Sequence, residues 1–211
     1  MTVILDNGET LDALPNDAAT AAHVVRIEGN ADLRGYAHPL PALRRIDGWA
    51  ILRDYAHALP DGLIVGGWLD LSGCTALTTL PPGLIVGGCL DLSGCTALTA
   101  LPDGLSVGGW LDLTGCTGLT ALPDGLSVGA SIDLRGCTGL DHYCVGRDAR
   151  GYAFYGIPMR DGPHVVAGCR NFTGAQALAH WGPGGESDRP DCLALAKQAI
   201  VLIERSKEVW T

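Results

Sequence analysis

Apolar and polar positions alternate in short runs along the first two thirds of this chain, and the runs return at a fixed interval. In the stretch from Gly66 to Cys74, Leu69 and Leu71 point one way while Trp68, Asp70 and Ser72 point the other, which is the two-residue period of a strand. The pairs Leu59-Pro60, Leu80-Pro81, Leu101-Pro102 and Leu122-Pro123 open four near-copies of one 21-residue unit, together covering 59–142. Such a repeat predicts a solenoid, because one turn cannot bury its own apolar side and must stack on the next. Leu69, Leu71, Cys74, Leu77 and Leu80 are expected inside, and Leu90, Leu92, Cys95, Leu98 and Leu101 repeat that set one turn later. Gly66 and Gly67 allow a bend before the strand, and Pro60-Asp61-Gly62 and Pro81-Pro82-Gly83 supply turns. The residues left between strand and next Leu-Pro are too few for a full α-helix, so extended or 3₁₀ backbone is expected there.

Two looser turns occupy 24–58. Asp32 takes the place of Asp70, Trp49 that of Trp68, and Tyr36 and Tyr55 that of Cys74. Both turns are two residues shorter after the strand, and about six turns are expected in all. Residues 1–23 read as an N-terminal cap: a hairpin about Asn7-Gly8 and a helix capped by Asn16 or Asp17. Residues 143–211 read as a small α+β cap. Strands at 150–158 and 164–170 flank Arg160-Asp161-Gly162, Thr173 caps a helix at 174–181, and a Gly/Pro-rich break follows. A second helix over 192–210 places Leu193, Ala196, Ile200, Ile203 and Val209 near one face.

The spacing L-x-L-x-x-C-x-x-L, followed by L-P-x-G-L, resembles the leucine-rich repeat, most closely its short bacterial type found in secreted effectors. Cys74, Cys95, Cys116 and Cys137 stand where that family usually has Asn. The resemblance implies an α/β solenoid, right-handed, with parallel strands on a concave face, and it implies no activity. The segment 167–182 resembles the tails of repeat-bearing phage and prophage proteins, again without an attached activity.

Charge narrows the partners. The net charge is −9, and residues 1–140 carry 6 basic and 15 acidic side chains while 141–211 carry 8 of each. An acidic solenoid argues against a nucleic-acid polymer, which needs a basic stripe. No apolar run approaches the ~18 residues of a membrane span, so a cytoplasmic protein of the producing or host bacterium is expected. Four of the eight cysteines belong to the repeat core, which favours reduced thiols over disulfides.

Stacking the turns puts three rows on the outward strand face: Asn30, Trp49, Trp68, Cys89, Trp110 and Ser131; Asp32, Ile51, Asp70, Asp91, Asp112 and Asp133; and Arg34, Arg53, Ser72, Ser93, Thr114 and Arg135. With strands ~4.8 Å apart, the aspartates crowd like charges beside exposed Trp. That combination suits a protein partner with a basic patch, held by Trp49, Trp68, Trp110, the five aspartates and Arg135, in the manner of a phage factor that blocks a host protein. The plainer alternative is that duplication copied a tolerated surface residue. The Asp row lacks calcium-loop spacing and the cysteines lack C-x-x-C pairs, so neither metal nor cofactor is expected; Cys137, His142 and Cys144 alone have any ligand character. Two further readings concern the tail: an anion such as a signalling nucleotide on Arg160, His164, Arg170 and His180, or Cys–His catalysis at Cys169. Homo-oligomerisation stays open.

Overall fold

The structure, a computed structural model, describes residues 1–123, 125–130, 132–140, 143–150, 153–159, 162–167, 170–185 and 189–208. The chain starts with a hairpin of β1 (Thr2–Leu5) and β2 (Thr10–Leu11), turned at Gly8 with φ of 84°. The short helix α1 (Ala18–Ala21) follows, capped by Asp17, whose carboxylate accepts the Thr20 N–H. Strand β1 then runs antiparallel to the first strand of the coil, Thr2 opposite Glu28, and closes that end of its sheet.

Each turn of the coil contributes two short parallel strands, not one. The first stack is β3 (Val24–Glu28), β5 (Arg45–Ile46), β7 (Ile64–Val65), β9 (Ile85–Val86), β11 (Ser106–Val107) and β13 (Ser127–Val128). The second is β4 (Ala31–Asp32), β6 (Ala50–Ile51), β8 (Leu69–Asp70), β10 (Leu90–Asp91), β12 (Leu111–Asp112) and β14 (Ile132–Asp133). Register is strict: Leu69 pairs with Leu90 and Leu90 with Leu111, so like residues stack on like. This is a two-sheeted parallel β-solenoid, where a single strand per turn was expected. In the 21-residue turns the Leu-Ile-Val or Leu-Ser-Val run supplies the additional strand, which is only two residues long and is followed by Gly-Gly, or by Gly129-Ala130 in the last turn.

That pair is a steric requirement. A Cβ at Gly87 would overlap the Gly66 carbonyl oxygen, and one at Gly108 the Gly87 carbonyl oxygen. At Gly66, Gly87, Gly108 and Gly129 the corner lies directly on the one before it, with room for backbone alone, while Asp47 and Ala130 carry side chains at corner positions of the outer turns. Val65, Leu69, Leu71, Leu80 and Leu84 fill the interior, as do their equivalents in later turns. The rest of each turn is tight turns and extended backbone, with Gly73, Gly94, Gly115 and Gly136 at positive φ.

The tail folds as an antiparallel sheet of β15 (Tyr143–Arg147), β16 (Ala153–Met159), β17 (Gly162–Ala167) and β18 (Arg170–Thr173), followed by α2 (Gly174–Trp181) and α3 (Pro190–Glu208). Thr173 and Gln176 form a reciprocal capping box at α2. The two faces of the sheet serve different cores. Tyr155, Ile157 and Val166 join the solenoid core, while Phe154 and Val165 pack with Ala177, Trp181, Cys192, Ala196 and Ala199 of the helices. The alternation of adjacent residues between two cores is the strand period at work. On α3 the buried residues are Cys192, Ala196, Ala199 and Ile203, with Leu193 and Ile200 half-buried beside them.

Candidate functional site

Of the three rows, the aspartate row lies within the second sheet, where the pairing Asp70–Asp91–Asp112–Asp133 is set by the backbone register, while Trp49, Trp68 and Trp110 precede their strands and Arg34, Arg53 and Arg135 follow theirs. The aspartates have a local structural task. In each case one carboxylate oxygen accepts the backbone N–H two residues on: Arg34 to Asp32, Ser72 to Asp70, Ser93 to Asp91, Thr114 to Asp112 and Arg135 to Asp133, at 2.8–3.2 Å. This bond ends the strand and starts the turn.

Their charges are handled unequally. Asp32 and Asp133, at the ends of the row, are paired with Arg34 at 2.6 Å and Arg135 at 2.7 Å within their own turns. The Arg34 hydrogen bonds hold the Asp32 carboxyl below the usual range. Partial burial pushes Asp133 up, but Arg135 outweighs it and the net shift is downward. Asp70 is fully buried, and Arg53 reaches across from the preceding turn to 2.7 Å of its second oxygen. That contact is one of charge, without an aligned N–H. Among the described residues, no ion pair reaches the half-buried Asp91 or Asp112.

The aromatic row is graded as well. Trp49 and Trp68 are half-buried, and the indole N–H of Trp68 is enclosed with no acceptor. Trp110 is 37% exposed, one of few large apolar side chains left open. Cys89 lies between Trp68 and Trp110, its Sγ leaning over the backbone of Gly109. The open part of these rows is small: Trp110, with Asp91 and Asp112 half-buried beside it. Trp68 and Asp70 are largely withdrawn into the fold. The counter-ions Arg34 and Arg53 were the residues that row-stacking alone did not assign; both sit two places after the aspartate position.

The cysteine ladder is internal. Cys95, Cys116 and Cys137 are buried, and each thiol donates to a carbonyl of the preceding turn, Leu71, Leu92 and Leu113, at 3.0–3.2 Å. Burial pushes the first two thiols up to about 12 and Cys137 up to about 11. All are free cysteines. Cys74 differs in being half-buried.

In the tail, His164 lies on β17 opposite Ile157 and Thr173. His180 stacks on Phe172 at 4.9 Å and meets Trp181 edge-on. Arg170 belongs to β18. Arg160, Cys169, Ser131 and His142 lie outside the described residues, so the anion and Cys–His readings are not assembled here. Cys144 lies on β15. The charged cluster that is assembled is another one. Asp148 is buried against Arg150 at 3.2 Å and Arg189 at 3.4 Å, and Arg189 also holds Asp191, which ties the start of α3 to the end of β15. Among the described residues, no group of three or more His, Cys, Asp or Glu is placed to hold a metal, and no helix is long and apolar enough to cross a membrane.

The class these features define is a two-sheeted parallel β-solenoid of short repeats, closed by a hairpin at one end and an α+β module at the other. Comparison with protein-family models, with curated proteins and with solved structures finds no match.

Proposed function

We propose that the protein is a non-catalytic binding protein that captures a protein partner through a basic patch, on the Trp/Asp face of its second sheet. The observation that carries this reading is the contrast within one row. Asp32, Asp70 and Asp133 each have an arginine within 2.7 Å, whereas among the described residues no ion pair reaches Asp91 or Asp112, which pair with each other on the turn of the exposed Trp110 and the turn before it. Two adjacent unpaired carboxylates cost stability through repulsion, and an arginine or lysine from a partner relieves it. An open Trp beside them offers cation–π contact as well as apolar area. The finer family reading, a short bacterial leucine-rich repeat with a phage-type tail that blocks a host protein in the bacterial cytoplasm, rests on the L-x-L-x-x-C spacing and on segment 167–182. The experiment is calorimetric titration with a ten-residue lysine peptide and, as control, a ten-residue glutamate peptide, at low and moderate salt. Salt-sensitive binding of the first alone supports the reading. Equal binding of both, or of neither, sinks it.

A further inference from the structure

Where the 19-residue turns give way to 21-residue turns, the stack has a step. The turn that ends Tyr55-Ala56-His57-Ala58 is two residues shorter than the one beginning at Leu59. In the regular part of the coil, the Cys-Thr-Ala-Leu segment at 95–98 and the Cys-Thr-Gly-Leu segments at 116–119 and 137–140 are each backed by the matching segment of the turn before. Leu98 and Cys95 are consequently 0% exposed. Leu77 and Cys74 occupy the same positions in the first long turn, and both are only half-buried. The missing backing leaves a groove of about 570 Å³ between the two turns, its walls including Tyr55, His57, Cys74, Leu77 and Pro82. This volume is in the range of small-molecule sites.

The groove has one polar character. Asp54 and Asp61 line it, no Lys or Arg does, and among the described residues no ion pair reaches either carboxylate. His57 is turned to the Ala37 carbonyl at 2.9 Å and stacks edge-on against Tyr55. Asp54 also breaks a rule the other turns keep. Its φ is 60°, the one positive value outside glycine among the described residues, at the position filled by Gly35, Gly73, Gly94, Gly115 and Gly136 elsewhere. A side chain there is strained, and strain held at a single place in a repeat is found where a site needs it.

We propose that this groove binds a small organic cation with an apolar body, the charge received by Asp54 and Asp61 and the body resting on Tyr55, Cys74 and Leu77. An anion would meet two carboxylates and no counter-charge. A neutral apolar molecule would gain nothing from the two carboxylates, which are exposed at the groove. The site is separate from the Trp/Asp face, since it lies after the second strand of the turn and none of its walls belongs to that face.

The probe is benzylamine, with benzyl alcohol and benzoate as neutral and anionic matches, titrated by NMR against the full chain. Benzylamine is expected to bind at least tenfold more tightly than benzoate and to shift the amides of Ala76–Thr79. Asp54→Gly is expected to weaken benzylamine at least fivefold while raising Tm by about 2–4 °C, because glycine relieves the positive φ. Asp61→Asn provides a second, conservative loss of charge with an expected weakening of the same kind. If benzylamine and benzoate bind alike, if benzylamine does not bind, or if Asp54→Gly binds as well as the parent, the proposal is overturned. Gain of stability with loss of binding is the result that a merely structural Asp54 does not give.

Discussion

Arg53 and Asp70 sit on adjacent turns with Nη2 2.7 Å from Oδ2, and they divide their exposure unequally: the guanidinium side chain is 49% exposed and the carboxylate side chain 1%. Ile51, which pairs with Asp70 across the sheet, stands where the row would otherwise hold one more aspartate. The arginine thus lids a carboxylate whose neighbour on that side is apolar. Ser72 completes its shell with both its backbone N–H and its hydroxyl.

Removing the lid leaves a buried charge uncompensated. Arg53→Met is expected to cost about 2 kcal/mol, below the range for fully enclosed pairs because half of the guanidinium is in water. Adding Asp70→Asn should recover most of the loss, since the amide oxygen still accepts from Ser72. Urea unfolding of the four members of that cycle checks it, and additive losses would show that the pair is not coupled.

The glycine corners give a second prediction, because two kinds of glycine occur in one repeat. Gly108→Ala drives a methyl group into the Gly87 carbonyl of the turn below and is expected to cost about 3 kcal/mol. Gly104→Ala meets open space and pays only for its positive φ of 72°, about 1 kcal/mol. Equal losses at the two sites would mean that the corner can relax.

The buried thiols make stability depend on alkali. Desolvation raises Cys95 and Cys116 from their ordinary value of 9.0 to about 12. A group whose folded value is raised contributes fully below its unfolded value and loses that contribution as pH rises toward the folded one. Stability is therefore expected to fall from about pH 9 upward, with the loss smaller in Cys116→Ala. Iodoacetamide at pH 8 should modify Cys74 and Cys89 in the native protein and spare Cys95, Cys116 and Cys137.

These residues also mark what the sequence could and could not convey. The alternation of Leu69 and Leu71, the repeated cysteine, the Asn7-Gly8 hairpin and the Thr173 cap are local signals, and each appears in the fold where its pattern put it. Ile64–Val65 is not legible as a strand because it lacks the apolar–polar alternation that marks Leu69 to Leu71, and Tyr143–Arg147 lacks it too, since its Tyr-Cys-Val-Gly-Arg run has no two-residue period. The partial exposure of Cys74 depends on the length of a different turn. The burial of Asp70 depends on the reach of an arginine 17 residues earlier. A repeat unit read by itself contains neither fact.

The last prediction separates the two things an aspartate does on the second sheet. Asp112 accepts the Thr114 N–H at 2.8 Å, and among the described residues no ion pair reaches its carboxylate, Arg135 acting on it only at longer range. Asp112→Asn keeps an acceptor oxygen for that N–H and removes the charge, whereas Asp112→Ala removes both. If the row is structural and nothing else, Asn should be neutral, Ala should cost about 1 kcal/mol, and neither should change binding of the lysine peptide. If the face is a cation-binding surface, Asp91→Asn with Asp112→Asn should leave stability unchanged or raise it at low salt, by relief of repulsion, and weaken the peptide at least tenfold. Trp110→Ala should weaken it too with little effect on Tm, because that ring is the exposed one of its row. Trp68→Ala is the poor test, since removing its half-buried ring would cost about 2 kcal/mol of fold stability whatever its part in binding. Full retention of peptide binding in the double Asn variant, at the parent's salt sensitivity, would place the cation elsewhere on this acidic coil.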